Sequence, residues 1–222
     1  MQLSELSTDA ALELLRVNTM PYQKLMTYYR CAIMEVETKF KVLNEELSLS
    51  YERNPIESIK GRIKTPESIF RKMRQKDIPV SIETVEEHIN DIAGIRIICS
   101  FIDDIYTIAE SFLMQDDVTL IAIKDYIKNP KPGGYRSLHL IISIPIFLQN
   151  EKRNMKVEVQ LRTIAMDFWA SLEHKIRYKK HIPENEAALL ARELLECADQ
   201  SAALDEKMQV IKNRLKHLGE TT

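Results

Sequence analysis

Cysteine and glycine are scarce in this chain, with three and five among 222 residues, and there is a single tryptophan. Cys31, Cys99 and Cys197 are odd in number and far apart, and no Cys-x-x-Cys or Cys/His spacing accompanies them. A disulfide framework and a structural zinc site are therefore not expected. Cys99, inside an apolar run, reads as a small core residue. The phosphate-loop pattern G-x-x-x-x-G-K-[ST] is absent, so nucleotide binding of that kind is excluded. Long apolar runs are also missing. The longest, Leu138–Leu148, is interrupted by His139, Ser143 and Pro145 and falls well short of the roughly 20 residues that span a bilayer. No signal peptide opens the chain, so the expectation is a cytoplasmic protein with no membrane partner. The net charge of −2 gives no broad attraction to nucleic acid, and RNA is not an expected partner.

Charge is uneven locally, however. Arg62, Lys64, Arg71, Lys72, Arg74 and Lys76 crowd into one short segment, which is either a solvated face or an anion site. The 45% apolar fraction suits one domain with helical extensions. Neither a repeat nor a low-complexity segment is present. Residues 1–50 read as an N-terminal helical extension, with a short helix before Pro21 and a longer one over Tyr22–Leu47. In the longer one Leu25, Tyr28 or Tyr29, Ala32, Ile33, Val36 and Phe40 form an apolar stripe. A helix is predicted to start near Thr65-Pro66-Glu67-Ser68, because proline fits the first turn. Ile69, Phe70 and Met73 would face the core there.

Asp91–Cys99 reads as a buried strand entered from a helix end, and Asp103–Gln115 as an amphipathic helix. Val118–Lys124, Ser137–Phe147 and Asn154–Thr163 are strand candidates. Ala165–Tyr178 returns to helix. Glu184–Leu218 is a long helix with Leu190, Leu194, Ala198, Leu204 and Met208 on its apolar side, and residues 181–222 form a C-terminal helical extension. The order predicts an α+β fold, one mixed or antiparallel sheet covered by helices. The terminal helices carry more apolar surface than so small a sheet needs. They pack on each other or form a subunit interface.

Period-two geometry over Val157–Arg162 puts Val157, Val159 and Leu161 on one face and Glu158, Gln160 and Arg162 on the other. That polar side is either solvated or the floor of a cleft. The cleft reading gains from Tyr135, Ser137 and His139, which share a face of the preceding strand candidate. Asp91, just before a buried strand, is either an ordinary acidic residue at a helix end or a carboxylate that needs a partner or a metal. With Glu158 it would supply the one or two carboxylates that proteins typically give Mg2+. Lys64, Ser68 and Lys72, spaced by four, lie on one helix face. Together with the helix N-terminus they suit a polyphosphate. Arg62 and Arg96 bring planar guanidiniums that stack on bases as well as pair with phosphate. Tyr135, after Gly133-Gly134, is either a half-buried turn aromatic or a platform for a second base.

Five segments, in order and spacing, resemble the synthetase domain of the RelA/SpoT family: Gly61-Arg62-Ile63-Lys64, Asp91-Ile92-Ala93-Gly94-Ile95-Arg96, Gly134-Tyr135-Arg136-Ser137-Leu138-His139, Glu158-Val159-Gln160-Leu161-Arg162-Thr163 and Phe168-Trp169-Ala170-Ser171-Leu172-Glu173-His174. Residues 51–180 would be that catalytic domain, with a nucleotidyltransferase-like fold, and the flanking helices resemble those of stand-alone small alarmone synthetases. The resemblance implies transfer of the β,γ-pyrophosphate of ATP to the ribose 3′-hydroxyl of GDP or GTP. The products would be ppGpp or pppGpp, the alarmones of the stringent response, with AMP released.

Carried over residue by residue, the resemblance implies that Arg62 and Arg96 sandwich adenine while Lys64, Ser68 and Lys72 hold the ATP phosphates. Asp91 and Glu158 would bind Mg2+, with Glu158 also the base for the 3′-hydroxyl. Tyr135 would stack on guanine, Lys124, Lys131 and His139 would contact phosphates, and Gln160 would orient groups at the site. Asp167 stands where related small synthetases can carry Asn near the guanine, and a carboxylate there can still accept from the guanine N1–H and amino group. A homo-oligomer, typically a tetramer, is implied as well.

None of His88, His139, His174, His181 or His217 is followed by Asp, so the family's hydrolase pair is absent and synthesis without hydrolysis is expected. The length also leaves no space for a hydrolase domain or C-terminal regulatory domains. Two rival readings remain: the same transfer to an adenine nucleotide or to a tRNA 3′ end, and a catalytically silent module that binds nucleotides or RNA.

Overall fold

The spacing of apolar residues in the first long helix determines how the sheet is covered. In this computed structural model, which describes residues 19–51, 53–79, 81–177 and 184–219, that helix is α1 (Thr19–Tyr51). Leu25, Tyr28, Tyr29, Ala32, Ile33, Val36 and Phe40 are all buried, and α1 packs across four of the five strands. Two expectations are corrected here. The helix is not broken at Pro21, because Thr19 and Met20 are already helical and a proline in the first turn has no N–H to lose. The rest of the short helix expected before Pro21 lies outside the described residues. The α1 stripe is also not surplus, since it forms the core against the sheet.

The strands are β1 (Ile56–Ile63), β2 (Ala93–Cys99), β3 (Thr119–Asp125), β4 (Leu138–Phe147) and β5 (Lys152–Thr163). They lie in the order β1-β2-β5-β4-β3. Only β2 and β5 run parallel, and the other pairs are antiparallel. This is the expected α+β architecture with a mixed sheet. Helix α4 (Ile102–Leu113) packs beside α1 on the same face, with Phe40 and Phe112 stacked at 4.4 Å between them. Ile95, Ile97, Leu140, Ile142, Val157, Val159 and Leu161 point into this layer. Each buried aliphatic side chain contributes about 1.5–3 kcal/mol.

Two elements escaped the sequence reading. β1, at the sheet edge, contains the start of the basic segment, and only Ile56 in it is fully buried. Gly61 is required there because an added Cβ would overlap the Ile33 side chain of α1. The short helix α3 (Ile82–His88) is capped by Ser81, whose hydroxyl accepts from Thr84 N. The expected helix after Thr65 is α2 (Pro66–Gln75): Thr65 caps it, and Ile69, Phe70 and Met73 are buried.

Helix α5 (Ile164–Arg177) follows β5 directly, and α6 (Glu184–Gly219) packs on α5 and α4. Of the α6 residues expected on its apolar side, Ala198 is buried but Leu204 and Met208 are 58% and 47% exposed. They line a groove of about 1010 Å³ with Ile164 and Phe168.

Candidate active site

The sheet face away from α1 is polar because the strand registers bring alternate residues into line. Arg62 of β1 pairs with Gly94 of β2, and Lys60 with Arg96. Across β2 and β5, Gly94 faces Glu158 and Arg96 faces Gln160. On the next strand Gln160 pairs with His139, and His139 in turn with Lys124 of β3. A directly opposed pair shares a sheet face, so the five strands bring Arg62, Arg96, Glu158, Gln160, His139 and Lys124 to one surface. Gly94 is a low point in it: the Arg62 side chain lies across this glycine, 3.5 Å from where its Cβ would be. Lys60, Arg62, Gly94, Arg96 and Gln160 line a cleft of about 210 Å³.

A second, strongly basic basin of about 390 Å³ adjoins it at α2. Its walls include Arg62, Lys64, Ser68, Arg71, Lys72 and His174. Ser68 and Lys72 share a face of α2 as expected, but Lys64 precedes the Thr65 cap and is not on the helix. It follows β1, its N–H donates to Ile92 O at 2.8 Å, and it joins the other two from outside α2. At the basin edge both lysines converge on Asp91, with Lys64 Nζ 2.6 Å and Lys72 Nζ 2.7 Å from Oδ2. Burial pushes the Asp91 carboxyl up, but hydrogen bonds and charge from the two lysines outweigh it and hold the pKa below the usual aspartate value. The other oxygen, Oδ1, is buried without a hydrogen-bond partner.

Glu158 sits between the basin and the next strand. Its Oε2 accepts from Gln160 Nε2 at 2.7 Å, and its Oε1 lies 3.3 Å from His139 Nδ1. Burial raises the Glu158 pKa and the Asp91 charge adds to that, yet His139 and Gln160 prevail and the pKa is lowered. Beyond the imidazole, His139 Nε2 is 2.8 Å from the Tyr135 hydroxyl. That hydroxyl accepts from Arg162 Nη2 at 2.6 Å. Because an ionised carboxylate only accepts, His139 Nδ1 carries a hydrogen toward Glu158.

Arg162, 4% exposed, is the hub of this face. Besides Tyr135 it donates to Gln160 Oε1 at 3.2 Å and to Asp167 Oδ1 at 3.0 Å. Asp167 Oδ1 also lies 3.1 Å from Arg96 Nη1, so one carboxylate oxygen ties the guanidiniums of β2 and β5 together. Burial, followed by the charge of Arg162, lowers the Arg96 pKa without discharging the guanidinium. Lys131 Nζ lies over two rings, 4.6 Å from the Tyr126 centroid and 5.0 Å from that of Tyr135.

Every residue singled out from the sequence for this site lies on this face or its rim, except Ser137. Its hydroxyl is buried and donates to Leu161 O, so it does not join Tyr135 and His139 in the cleft as expected. Sequence reading missed the roles of Arg162 as hub, of Tyr126 beside His139 (5.2 Å between ring centroids), and of His174 and Arg71 in the basin wall. Arg162 was in the period-two set of β5, which was signal enough. Arg71 was in the basic segment and His174 in the last of the family-like segments, whereas Tyr126 carries no local signature.

A base-sized cleft beside a cation-lined basin, with a carboxylate at their junction, defines a class of site built to hold a nucleotide and act on its phosphates. Residues 61–183 match the region found in RelA / SpoT proteins. The chain is 47% identical over 189 residues to GTP pyrophosphokinase YwaC of Bacillus subtilis, covering 84% of this chain and 88% of that one. Two solved structures are similar over most of the chain. Small alarmone synthetase 2 from Bacillus subtilis matches with a TM-score of 0.77 at 45% identity, over 87% of this chain and 98% of that one. Small alarmone synthetase 1 from the same organism, bound to its product pppGpp, matches with a TM-score of 0.78 at 35% identity, over 87% and 97%. The chain belongs to the RelA/SpoT family.

Proposed function

We infer that the chain is a GTP pyrophosphokinase, making ppGpp or pppGpp from ATP and GDP or GTP. The observation that carries this is the position of Glu158, held by Gln160 and His139 between the basic basin and the Tyr135–Lys131 rim. Relatives named as GTP pyrophosphokinases, and a similar structure bound to pppGpp, support the same reading.

ATP lies along β1, β2 and α2. Arg62 and Arg96 flank the adenine, while Lys64, Ser68 and Lys72 hold the phosphates. The acceptor lies toward β4, with its guanine on Tyr135 and its phosphates near Lys131, Lys124 and His139. Asp167 and Gln160 orient the groups between. Glu158 takes the proton of the ribose 3′-hydroxyl as its oxygen bonds to the β-phosphorus of ATP. The bond from that phosphorus to the α,β-bridging oxygen breaks, and AMP leaves with the bond's electron pair. A lowered pKa keeps Glu158 ionised and ready to accept the proton, which is worth roughly 10²–10⁴-fold in rate.

Mg2+ fits the residues present. Asp91 has a buried oxygen that no protein donor satisfies, and Asp91 and Glu158 are close enough for each charge to affect the other. These two carboxylates would hold the ion, which supplies charge neutralisation for the phosphates when bound. The enzyme works in the cytoplasm as a homo-oligomer, a tetramer by family resemblance. The apolar α5–α6 groove at Phe168, Leu204 and Met208 supports a subunit contact, and no helix among the described residues is long and apolar enough to cross a membrane.

Incubation with ATP, GDP and Mg2+, followed by chromatography of the products, tests the reading. Expected are ppGpp and AMP in equal amounts and no breakdown of added ppGpp with Mn2+. Pyrophosphate transfer to an adenine nucleotide or to tRNA, with guanine nucleotides inert, would replace the acceptor in this account.

A further inference from the structure

Gly134 has φ +87, a backbone conformation that side chains other than glycine's adopt only with strain. What crowds it lies outside the polar face. A Cβ on Gly134 would overlap the Ala198 methyl of α6 and approach Leu195 Cδ1 to 3.3 Å and Trp169 Cζ2 to 3.7 Å. Trp169, Ala170 and Ala198 form a small apolar cluster separate from the main core, and Tyr135 packs against it.

The seat itself is firmly held. Trp169 Nε1 donates to Leu194 O at 2.9 Å, and Ser201 Oγ donates to Ala165 O at 3.1 Å. The turn above it is tied mostly to itself, through Gly134 N to Lys131 O at 2.8 Å and Lys131 N to Tyr135 O at 3.2 Å. The turn's backbone is thus braced internally and from below, while the Tyr135 hydroxyl is held by Arg162 and His139, so a change in the height of the seat tilts the ring against those two bonds. The turn carries both Lys131 and Tyr135.

We propose that Ala198 is a positioning residue for the acceptor nucleotide. Its methyl sets the height of the Gly134 turn, and so of the Tyr135 ring and the Lys131 ammonium, without touching substrate. The proposal rests on the assignment of Tyr135 and Lys131 to the acceptor. A larger side chain at 198 lifts the turn, and the acceptor loses affinity while the ATP side, on β1, β2 and α2, is untouched. The C-terminal helix, remote in sequence, thereby tunes one substrate and not the other.

Steady-state kinetics of Ala198→Leu test this, together with binding of a non-hydrolysable ATP analogue and GDP titration followed by the emission of Trp169, the single tryptophan of the chain. Expected are a KM for GDP at least tenfold higher, a matching rightward shift of the fluorescence titration, and an ATP-analogue Kd within twofold of the parent. An unchanged KM for GDP, or an equal loss on the ATP side, overturns the proposal.

A second comparison uses only small residues and so avoids misfolding of α6. Gly134→Ala is made in the parent and in an Ala198→Gly background. Contact between the two positions makes the rise in GDP KM at least fivefold smaller in the Ala198→Gly background, because the overlap with the Ala198 methyl is relieved and only the φ strain and the 3.3 Å approach to Leu195 remain. Equal rises in the two backgrounds overturn it. A parent protein that makes no guanosine product sinks the functional reading itself, whereas an active parent with an indifferent Ala198→Leu sinks only this inference.

Discussion

Lys64 Nζ stands 2.6 Å from Asp91 Oδ2, which places a cation suited to a phosphate directly on a carboxylate suited to a metal. Lys72 makes the same contact at 2.7 Å. Without nucleotide the one carboxylate offsets part of the charge of the two lysines, and a polyphosphate entering the basin competes with Asp91 for both ammonium groups.

Asp91→Asn should therefore have opposite effects on binding and on turnover. In EDTA, the amide frees the lysines and removes a repelling charge, so ATP binds about tenfold tighter than to the parent, equivalent to ~1.4 kcal/mol. With Mg2+ present, synthesis is lost. Calorimetric titration in EDTA checks the first part, and weaker metal-free binding in the variant would show that Asp91 does not hold the lysines back.

Glu158→Gln keeps the shape of the side chain but cannot take a proton. Turnover should fall by roughly 10²–10⁴-fold while Kd values for both nucleotides change little. Because the Glu158 pKa lies below the ordinary glutamate value of 4.5, the acid limb of kcat/KM in the parent falls below that pH. Near-normal product formation by the variant would remove Glu158 from the base role.

Arg162→Lys replaces a fork that serves three acceptors with a single ammonium group. Tyr135, Gln160 and Asp167 cannot all be satisfied, so a loss of about 1.5–3 kcal/mol of stability is expected from hydrogen bonds to a charged group. The KM for GDP should rise more than that for ATP, since Tyr135 loses its tether while Asp167 keeps Arg96. Denaturant melts and paired KM measurements check this. A selective rise in the ATP KM would contradict it.

Asp205 on α6 responds to pH in the opposite sense from Asp91. Burial pushes its carboxyl above the ordinary value of 3.8, despite the hydrogen bond from Thr163 and the nearby charge of Arg136. The folded state then binds more protons than the unfolded one between 3.8 and the raised value, so stability falls as pH rises through that window. Asp205→Asn still accepts from Thr163 and lacks this loss. Its Tm should exceed the parent's at neutral pH, with the gap closing below the ordinary aspartate range. A variant less stable than the parent at pH 7 would count against the sign.

Some of the fold and site could be read directly from local pattern. The α1 stripe from Leu25 to Phe40, the proline-started α2 with Ser68 and Lys72 aligned, and the alternation of Glu158, Gln160 and Arg162 all follow from backbone periods of 3.6 and 2, whereas Lys64 lies ahead of the α2 cap and reaches the basin by tertiary placement. β1 was not legible, because an edge strand with one fully buried residue has little hydrophobic signal, and its pairing comes from β2 some three dozen residues later. Ser137 was misjudged because alternation says which face a side chain leaves from, not that a carbonyl on the neighbouring strand will take its hydroxyl.

By itself the sequence determined which residues could share a helix or strand face, and through five ordered segments it pointed to the family. Tertiary structure alone decided what those faces meet: Asp91 under two lysines, one Asp167 oxygen joining Arg96 to Arg162, and Gly134 seated on Ala198. The reason is physical. Periodicity is a local property of the backbone, whereas these contacts join elements far apart in the chain, and only the packing of the sheet and its helices brings their side chains within bonding distance.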